Sequence, residues 1–368
     1  MSEGAPVPCV LLGASGWIGQ HFSRLLVDHP YFDLPVLTGA KSAGRTLEEV
    51  WQLSDLPVPA ALADRRLERL SAAQIARRGL RVAFSALPSD EAGPMETELA
   101  RRGVAVFSNA SSHRMDPKVP LVVPEVNGDH LKLLGEPRNR ATGRPSRRGF
   151  IVTNSNCSTA GLVLPVAPLL RLLRPREVHV ATYQALSGAG FPGVPSLSIG
   201  DNLLPFIRDE EEKMSIETGK ILGRASGGRV RPLDLPVSAQ CVRVATREGH
   251  LEAITLVLPS GVKVTPGAIM ATWKDYRPLS ADTRDSGDLP TAPEQPVIYR
   301  HEEDRPQPLR DRWAGRPERA RGMAVSVGRL RVAPGTVRFF SLSHNAVRGG
   351  AGGSVLNAEL AYRQGYLG

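Results

Sequence analysis

The chain has 368 residues, 41% of them apolar and 23% charged, with a net charge of +9. That length carries two domains that each bury a core, and no run of about 18 apolar residues offers a membrane span. Three scattered cysteines, Cys9, Cys157 and Cys241, exclude a disulfide framework or zinc site and fit a reducing, cytoplasmic setting.

The N-terminal MSEGAPVPCVLLGASG lacks the basic region and apolar stretch of a secretory signal. The densest cationic clusters, Arg138 to Arg148 and Arg316 to Arg321, have no interleaved aromatics, and aromatics are only 5% of the chain. Stacking platforms for a nucleic acid are therefore poorly supplied. These arginines read as a solvated surface that attracts phosphorylated small molecules.

In chain order, the apolar run at 7–13 (VPCVLLG) predicts a buried strand. A glycine-rich turn follows, then an amphipathic helix to about Val27, and Leu34 to Thr38 closes a βαβ unit. Arg81 to Leu87 reads as a strand, Glu91 to Arg102 as a helix, and Val104 to Asn109 as a strand. This rhythm is that of an α/β fold with a parallel, doubly wound sheet. The polar, Pro- and Gly-rich stretch 132–149 reads as a loop at a domain boundary. Phe150 to Asn154 is then a strand and Ser158 to Leu173 a helix. Longer runs at Glu177–Leu186, Ala239–Arg247 and Leu251–Leu258 predict a second, largely antiparallel sheet. Residues 276–322, full of Pro, Arg and Asp, read as an extended surface excursion. Gly353 to Gln364 is a helix expected to pack back on the first domain.

Three segments carry chemistry. Gly13-Ala14-Ser15-Gly16-Trp17-Ile18-Gly19 lies between strand and helix, where glycines let backbone N–H groups approach a pyrophosphate at a positive helix end. The carboxylate that grips a ribose 2′-hydroxyl about 20 residues later is missing. Thr38-Gly39-Ala40-Lys41-Ser42-Ala43-Gly44-Arg45 offers cations and hydroxyls instead, which favours NADP over NAD. Cys157, in Asn154-Ser155-Asn156-Cys157-Ser158-Thr159, sits after a strand and at a helix start, where the helix dipole is expected to lower a thiol pKa. Either His250, at a strand end after Glu248-Gly249, or His344 supplies an acid/base. Arg243 lies seven residues before His250, so only a turn brings the two to one site. Arg114, Glu210 and Lys213 carry no signal individually.

Taken with GASGWIG, SALPSDEAGPME, SNASSHR, VPLVVPEVN, SNCSTAG, ATYQALSGAGFPG, NLLPFIRDEEEKMSIETGKILG, VRVATREGH, EDRPQP and HNAVRGGAGGSVLNAEL, the chain resembles the aspartate-semialdehyde dehydrogenases of the archaeal and fungal branch. The resemblance implies a Rossmann-like NADP-binding domain over 1–150, completed by a C-terminal helix within 345–368. It implies a catalytic and dimerisation domain over 151–344, with a mainly antiparallel sheet and a glyceraldehyde-3-phosphate-dehydrogenase-like architecture. It makes Cys157 the nucleophile, Asn156 its neighbour in ordering the site, Gln184 a substrate contact near the thiol and His250 the acid/base. Arg243 would hold the substrate carboxylate, Arg114 and Lys213 the phosphoryl group, and Glu210 the ammonium, with Glu211 and Glu212 as alternatives. Gly13, Ser15, Gly16, Trp17 and Ile18 would line the pyrophosphate, Lys41 and Ser42 the 2′-phosphate, and Ser85 and Asn345 other parts of NADP.

Ser15 stands where threonine is common in that family, Lys41 where arginine is usual, and Gly350 where alanine is usual. A lysine recognises a phosphate with less planar specificity than an arginine. The implied reaction is NADPH-dependent reduction of aspartyl phosphate to aspartate semialdehyde by a homodimer or homotetramer, in the routes to lysine, threonine and methionine. Reduction of malonyl-CoA or of N-acetylglutamyl phosphate is the nearest alternative, and a non-catalytic cofactor-binding regulator a further one.

Overall fold

The computed structural model describes residues 5–137, 148–278 and 289–367. Most of the first cationic cluster, at 138–147, lies outside them. Six strands form one parallel sheet in the order β2-β1-β3-β4-β6-β5: β1 Val7–Leu12, β2 Phe32–Leu37, β3 Val82–Ser85, β4 Ala105–Ser108, β5 Leu121–Val122 and β6 Phe150–Asn154. The strands are continuously apolar because both faces are covered. Cys9 and Leu11 of β1 face a core shared with Phe22 and Leu26, and Val10 and Leu12 face another shared with Ile75 and Leu99. The division expected at 150 falls on the first residue of β6. That strand belongs to the first sheet, which therefore runs to Asn154 and ends immediately before the nucleophile segment.

The second sheet has the order β10-β7-β11-β14-β13-β12, from β7 Glu177–Gln184, β10 Val237–Arg243, β11 His250–Val257, β12 Val297–Arg300, β13 Val325–Ala333 and β14 Thr336–Ser343. A small hairpin, β8 Arg224–Ser226 and β9 Arg229–Arg231, stands apart. The centre of the second sheet is antiparallel as expected, but both edges, β10 on β7 and β12 on β13, are parallel, so it is mixed. Alternation along β11 turns His250, Glu252, Ile254 and Leu256 inward. Leu251, Ala253, Thr255 and Val257 are half-buried on the outer face.

Residues 289–322 are not a surface excursion. Val297–Arg300 is the sheet's edge strand, and Leu289 and Ala320 are buried in the first core. Arg319 is not solvated either, since its guanidinium donates to the carbonyls of Leu25, Val27 and Asp28 at the end of the Trp17–Leu26 helix. The C-terminal helix Gly352–Arg363 packs Val355, Leu356, Ala358, Leu360 and Ala361 into the first core, beside Phe22 and Phe107. Among the described residues, no helix is long and apolar enough to cross a membrane.

The approach to that helix is pinned by the fully buried Arg348, which pairs both guanidinium arms with Glu125 and donates Nε–H to the Met323 carbonyl at 2.7 Å. Arg348→Met leaves the Glu125 carboxylate buried and unpaired. We expect a loss of about 3–5 kcal/mol in urea unfolding, and a loss below about 1 kcal/mol would show that the pair is not coupled to the fold.

Candidate active site

The helix Cys157–Val166 starts two residues after β6 and packs against β11 and β14 of the second sheet. Asn156 caps it, its Oδ1 accepting from the N–H groups of Ser158 at 2.9 Å and Thr159 at 3.1 Å. The Cys157 Sγ lies 3.2 Å from His250 Nε2. The first residue of β11 thus meets the first residue of this helix, and the competing histidine, His344, does not touch the thiol.

Ala185, just beyond β7, fixes the chemistry of both neighbours. Its N–H donates to His250 Nδ1 at 3.0 Å, and its carbonyl accepts from Arg243 Nη1 at 2.8 Å. Two donors cannot face each other, so Nδ1 carries no proton and the neutral ring presents Nε2–H to sulfur. Burial, then the charge of Arg243, holds the His250 pKa down at about 3. β10 and β11 are not a hairpin: β7 lies between them, and the 244–249 connection crosses its end. Arg243 and His250 therefore share one end of the sheet despite their seven-residue spacing.

Carboxylates complete the site. Glu210, at the first turn of the helix Glu210–Ile221, accepts from Asn156 Nδ2 at 2.9 Å, Gln184 Nε2 at 3.0 Å and Ser158 Oγ at 3.3 Å. Of the three consecutive glutamates only Glu210 is buried there; Glu211 takes the Cys241 N–H, and Glu212 is exposed. Arg243 makes no ion pair among the described residues, which leaves the rest of its fork free. Arg114 is paired with Glu217, and its Nε is buried without a partner. Lys213 is not brought to the thiol: it is part-exposed, 3.7 Å from Asp209.

Burial, then the charge of Glu210, pushes the Cys157 thiol up to about 12, against the pull of Arg114, Arg243 and the helix start. The depressed pKa expected from the helix dipole is thus not the ligand-free state, because desolvation and a buried carboxylate outweigh it.

Two glycines, missed by motif reading, let this site close. A Cβ on Gly188 would meet Arg243 Nη1 at 2.8 Å and the His250 ring at 3.3 Å, and one on Gly349 would meet the Cys157 Cβ at 2.5 Å. Their only sequence signal was membership of SGAG and RGGAGG.

At the other rim, Gly13 (φ +76°) brings the turn so close to Ala86 that a Cβ would sit 2.8 Å from its carbonyl oxygen. Gly16 caps the Trp17–Leu26 helix, and Ile18 reaches the Gly350 backbone. Ser15 and Ser42 converge on Gly39, and the Ser42 hydroxyl is buried without a partner. Lys41 is exposed beside it. Glu68, which bridges to Thr38, spends both carboxylate oxygens on Arg78, at 2.8 and 2.7 Å.

Two expected cofactor residues are otherwise engaged, and a third is sealed off. Ser85 is wholly buried, its hydroxyl without a hydrogen-bond partner. Trp17 donates its indole N–H to Glu248 at 3.0 Å. Asn345 accepts from the Gly249 N–H at 2.9 Å and donates to Ser187 Oγ at 2.8 Å.

Family models agree with this two-part geometry. The model described as the semialdehyde dehydrogenase NAD-binding domain matches residues 9–134, and that described as the semialdehyde dehydrogenase dimerisation domain matches residues 166–348. A protein named aspartate-semialdehyde dehydrogenase from Archaeoglobus fulgidus is 42% identical over 96% of this chain and 97% of its own. The chain belongs to the semialdehyde dehydrogenase family. The crystal structure of aspartate semialdehyde dehydrogenase with NADP from Candida albicans matches with a TM-score of 0.84 and 33% identity, over 99% of this chain and 100% of that one. A malonyl CoA reductase (NADP) from Metallosphaera sedula is 37% identical over 97% of both chains, so substrate choice within the family rests on the site.

The raised thiol pKa has a direct readout, because Cys9 and Cys241 are buried. Iodoacetamide inactivation of the ligand-free semialdehyde dehydrogenase should keep rising past pH 9, since a raised pKa leaves little thiolate below it. Glu210→Gln should speed alkylation at pH 8 by roughly tenfold per unit of pKa relieved. A plateau below pH 8 would contradict this electrostatic balance.

Proposed function

We propose that this chain is an aspartate-semialdehyde dehydrogenase, converting aspartyl phosphate to aspartate semialdehyde and phosphate with NADPH, within amino-acid biosynthesis. One observation carries the substrate: around Cys157 stand a free guanidinium fork (Arg243), a buried carboxylate (Glu210) and a buried guanidinium with an unpartnered N–H (Arg114). These match an α-carboxylate, an ammonium and a phosphoryl group. Malonyl-CoA has no ammonium to pair with Glu210.

The residues present fit NADP. The Gly13 turn packs too closely on Ala86 for a Cβ and leads straight into the Trp17 helix start, Ser42 keeps an orphaned hydroxyl, and the nearby carboxylate of Glu68 is already paired. Gly13, Ser15, Gly16 and Ile18 would hold the pyrophosphate, with Ser42 and Lys41 at the 2′-phosphate. When bound, NADPH supplies the hydride.

The chain's own residues do the rest. Substrate ammonium on Glu210 cancels one of the two influences that raise the thiol pKa, and the Cys157 thiol yields its proton to solvent to give the reactive thiolate. Cys157 then attacks the acyl carbon, and Arg114 neutralises charge on the departing phosphate. Lys213, on a flexible stem one turn beyond Glu210, is the second candidate for that phosphate. Arg243 and Gln184 orient the chain of the substrate. Nε2–H of His250 donates first to sulfur and then to the oxygen of the tetrahedral adduct. Full proton delivery requires an imidazolium, and therefore release of Nδ1 from Ala185.

A second copy of this chain is the partner that fits the outer face of the second sheet. Leu251, Ala253, Thr255 and Val257 lie half-buried there, beside exposed Tyr183. That face lies within the residues matched as a dimerisation domain, which supports a homodimer or a dimer of dimers. Free cysteines and a nicotinamide-dependent biosynthetic reaction suit the cytoplasm.

Aspartate semialdehyde and phosphate should reduce NADP faster than NAD, and Cys157→Ser should keep less than about one-thousandth of the turnover. Absence of phosphate-dependent turnover in the wild type sinks this reading. In the same assay, Gly188→Ala should cost about a hundredfold in kcat/KM by displacing Arg243 and His250, with the unfolding midpoint little changed. Near-normal kcat/KM would show that the close approach at Gly188 is dispensable.

A further inference from the structure

The helix Glu210–Ile221 turns three polar side chains toward the site from one face: Glu210, Glu217 and Lys220. The first has a role above. Glu217, 2% exposed, has none, yet it joins two parts of the site that are far apart in sequence. Its Oε1 accepts from Arg114 Nη1 at 3.0 Å, and its Oε2 accepts the Asn156 N–H at 2.6 Å. Arg114 comes from the loop after β4, and Asn156 immediately precedes the nucleophile. One turn further along, Lys220 Nζ donates to the carbonyls of Arg114 at 2.5 Å, Asp116 at 2.8 Å and Val119 at 2.9 Å, so all its protons go to the Arg114 loop.

The remaining contacts of Arg114 show what this arrangement leaves open. Nη2 donates to the Asn109 carbonyl at 2.7 Å, and Nε–H is buried with no partner. The guanidinium is therefore held by its two outer nitrogens while a third donor stays available to an anion. Without Glu217 it would be a buried cation with no counter-charge.

We propose that Glu217 is a positioning residue that ties the anion-binding Arg114 to the Asn156–Cys157 junction, so that one carboxylate sets both the phosphoryl site and the placement of the nucleophile. The proposal rests on the reaction assigned above. Only a carboxylate does this, because it accepts from two donors at once. An amide of the same size accepts on one side and sets its own NH2 against a donor on the other.

The test separates the two ends of the bridge. Phosphate protection of Cys157 against iodoacetamide gives the affinity for inorganic phosphate without turnover, and steady-state oxidation of aspartate semialdehyde gives kcat and each KM. Glu217→Gln should need about tenfold more phosphate, both for protection and as KM, and should lose about tenfold or more in kcat. Its KM for the semialdehyde should stay within about twofold, because Arg243 and Glu210 are untouched. Lys220→Met, which acts on the Arg114 loop alone, should raise the phosphate requirement and leave kcat near normal. Glu217→Asp, which keeps the charge, should recover part of the phosphate affinity and stands in if the glutamine variant does not fold.

Unchanged phosphate requirement and kcat in Glu217→Gln overturn the assignment while the reaction stands. A uniform loss in kcat and in both KM values, matched by Lys220→Met, marks a structural role and overturns it as well. A wild type that phosphate protects but that does not turn over sinks the reaction, and the protection shift in Glu217→Gln still decides the positioning role. No protection in the wild type overturns both.

Discussion

Both main-chain polar groups of one residue, Ala185, hold two side chains of the candidate site. Its N–H fixes the tautomer of His250 and its carbonyl anchors Arg243. A backbone can do this only where the side chains arrive from both sides of it, which is what the β10-β7-β11 order provides. β7 ends between the two strands that deliver Arg243 and His250. Gly188, one turn beyond Ala185, then leaves room for both side chains. The mixed pairing of the second sheet is therefore a condition of the site, since a β10–β11 hairpin would remove Ala185 from between them.

The charges around Cys157 are balanced before any ligand arrives: Arg114 and Arg243 against Glu210 and Glu217. In that state burial dominates and the thiol stays protonated. This is a safe resting condition for a partly exposed cysteine, whose reactivity follows its thiolate fraction. The Glu210 carboxylate adds to burial in raising the thiol pKa, and in the proposed reaction it is the group that a substrate ammonium would neutralise. Arg114, Arg243 and the helix N-terminus are then left to favour the thiolate.

How much of this was legible in the sequence follows from the range of each interaction. The glycine turn, the cysteine at a strand–helix junction and the alternation of β11 are local patterns, and the structure has each where the pattern put it. Motifs running through the whole chain identified the family and brought Cys157 and His250 together on paper. What failed was non-local. The thiol pKa depends on Glu210, 53 positions away, and on desolvation, which no spacing reports. Residues 289–322 have the composition of a loop, because the edge strand Val297–Arg300 is short and only half-buried. Glu217 sits in a charge-rich stretch that ordinarily marks a solvated helix. Only its seven-residue offset from Glu210 places it on the same face. Trp17 and Asn345 lie where the resemblance put them, but their side chains are engaged with protein.

Those engaged side chains link the two halves of the molecule. Trp17 and His21, on the helix that opens the cofactor domain, both donate to Glu248, two residues before His250. Burial alone would raise the Glu248 carboxyl, but the His21 hydrogen bond, neighbouring His344 and the Trp17 N–H hold it down at about 2, so it stays charged. Asn345 grips the next residue, Gly249, from the segment that leads to Gly349 and the C-terminal helix. The turn carrying His250 is thus fastened on one side to the helix whose N-terminus would hold the pyrophosphate, and on the other to the segment after β14 that lays Gly349 against Cys157. Neither domain contains the site alone. The Gly13 turn, Cys157 and His250 keep their spacing because the 244–249 connection is held at two adjacent residues, Glu248 by Trp17 and His21 and Gly249 by the Asn345 amide.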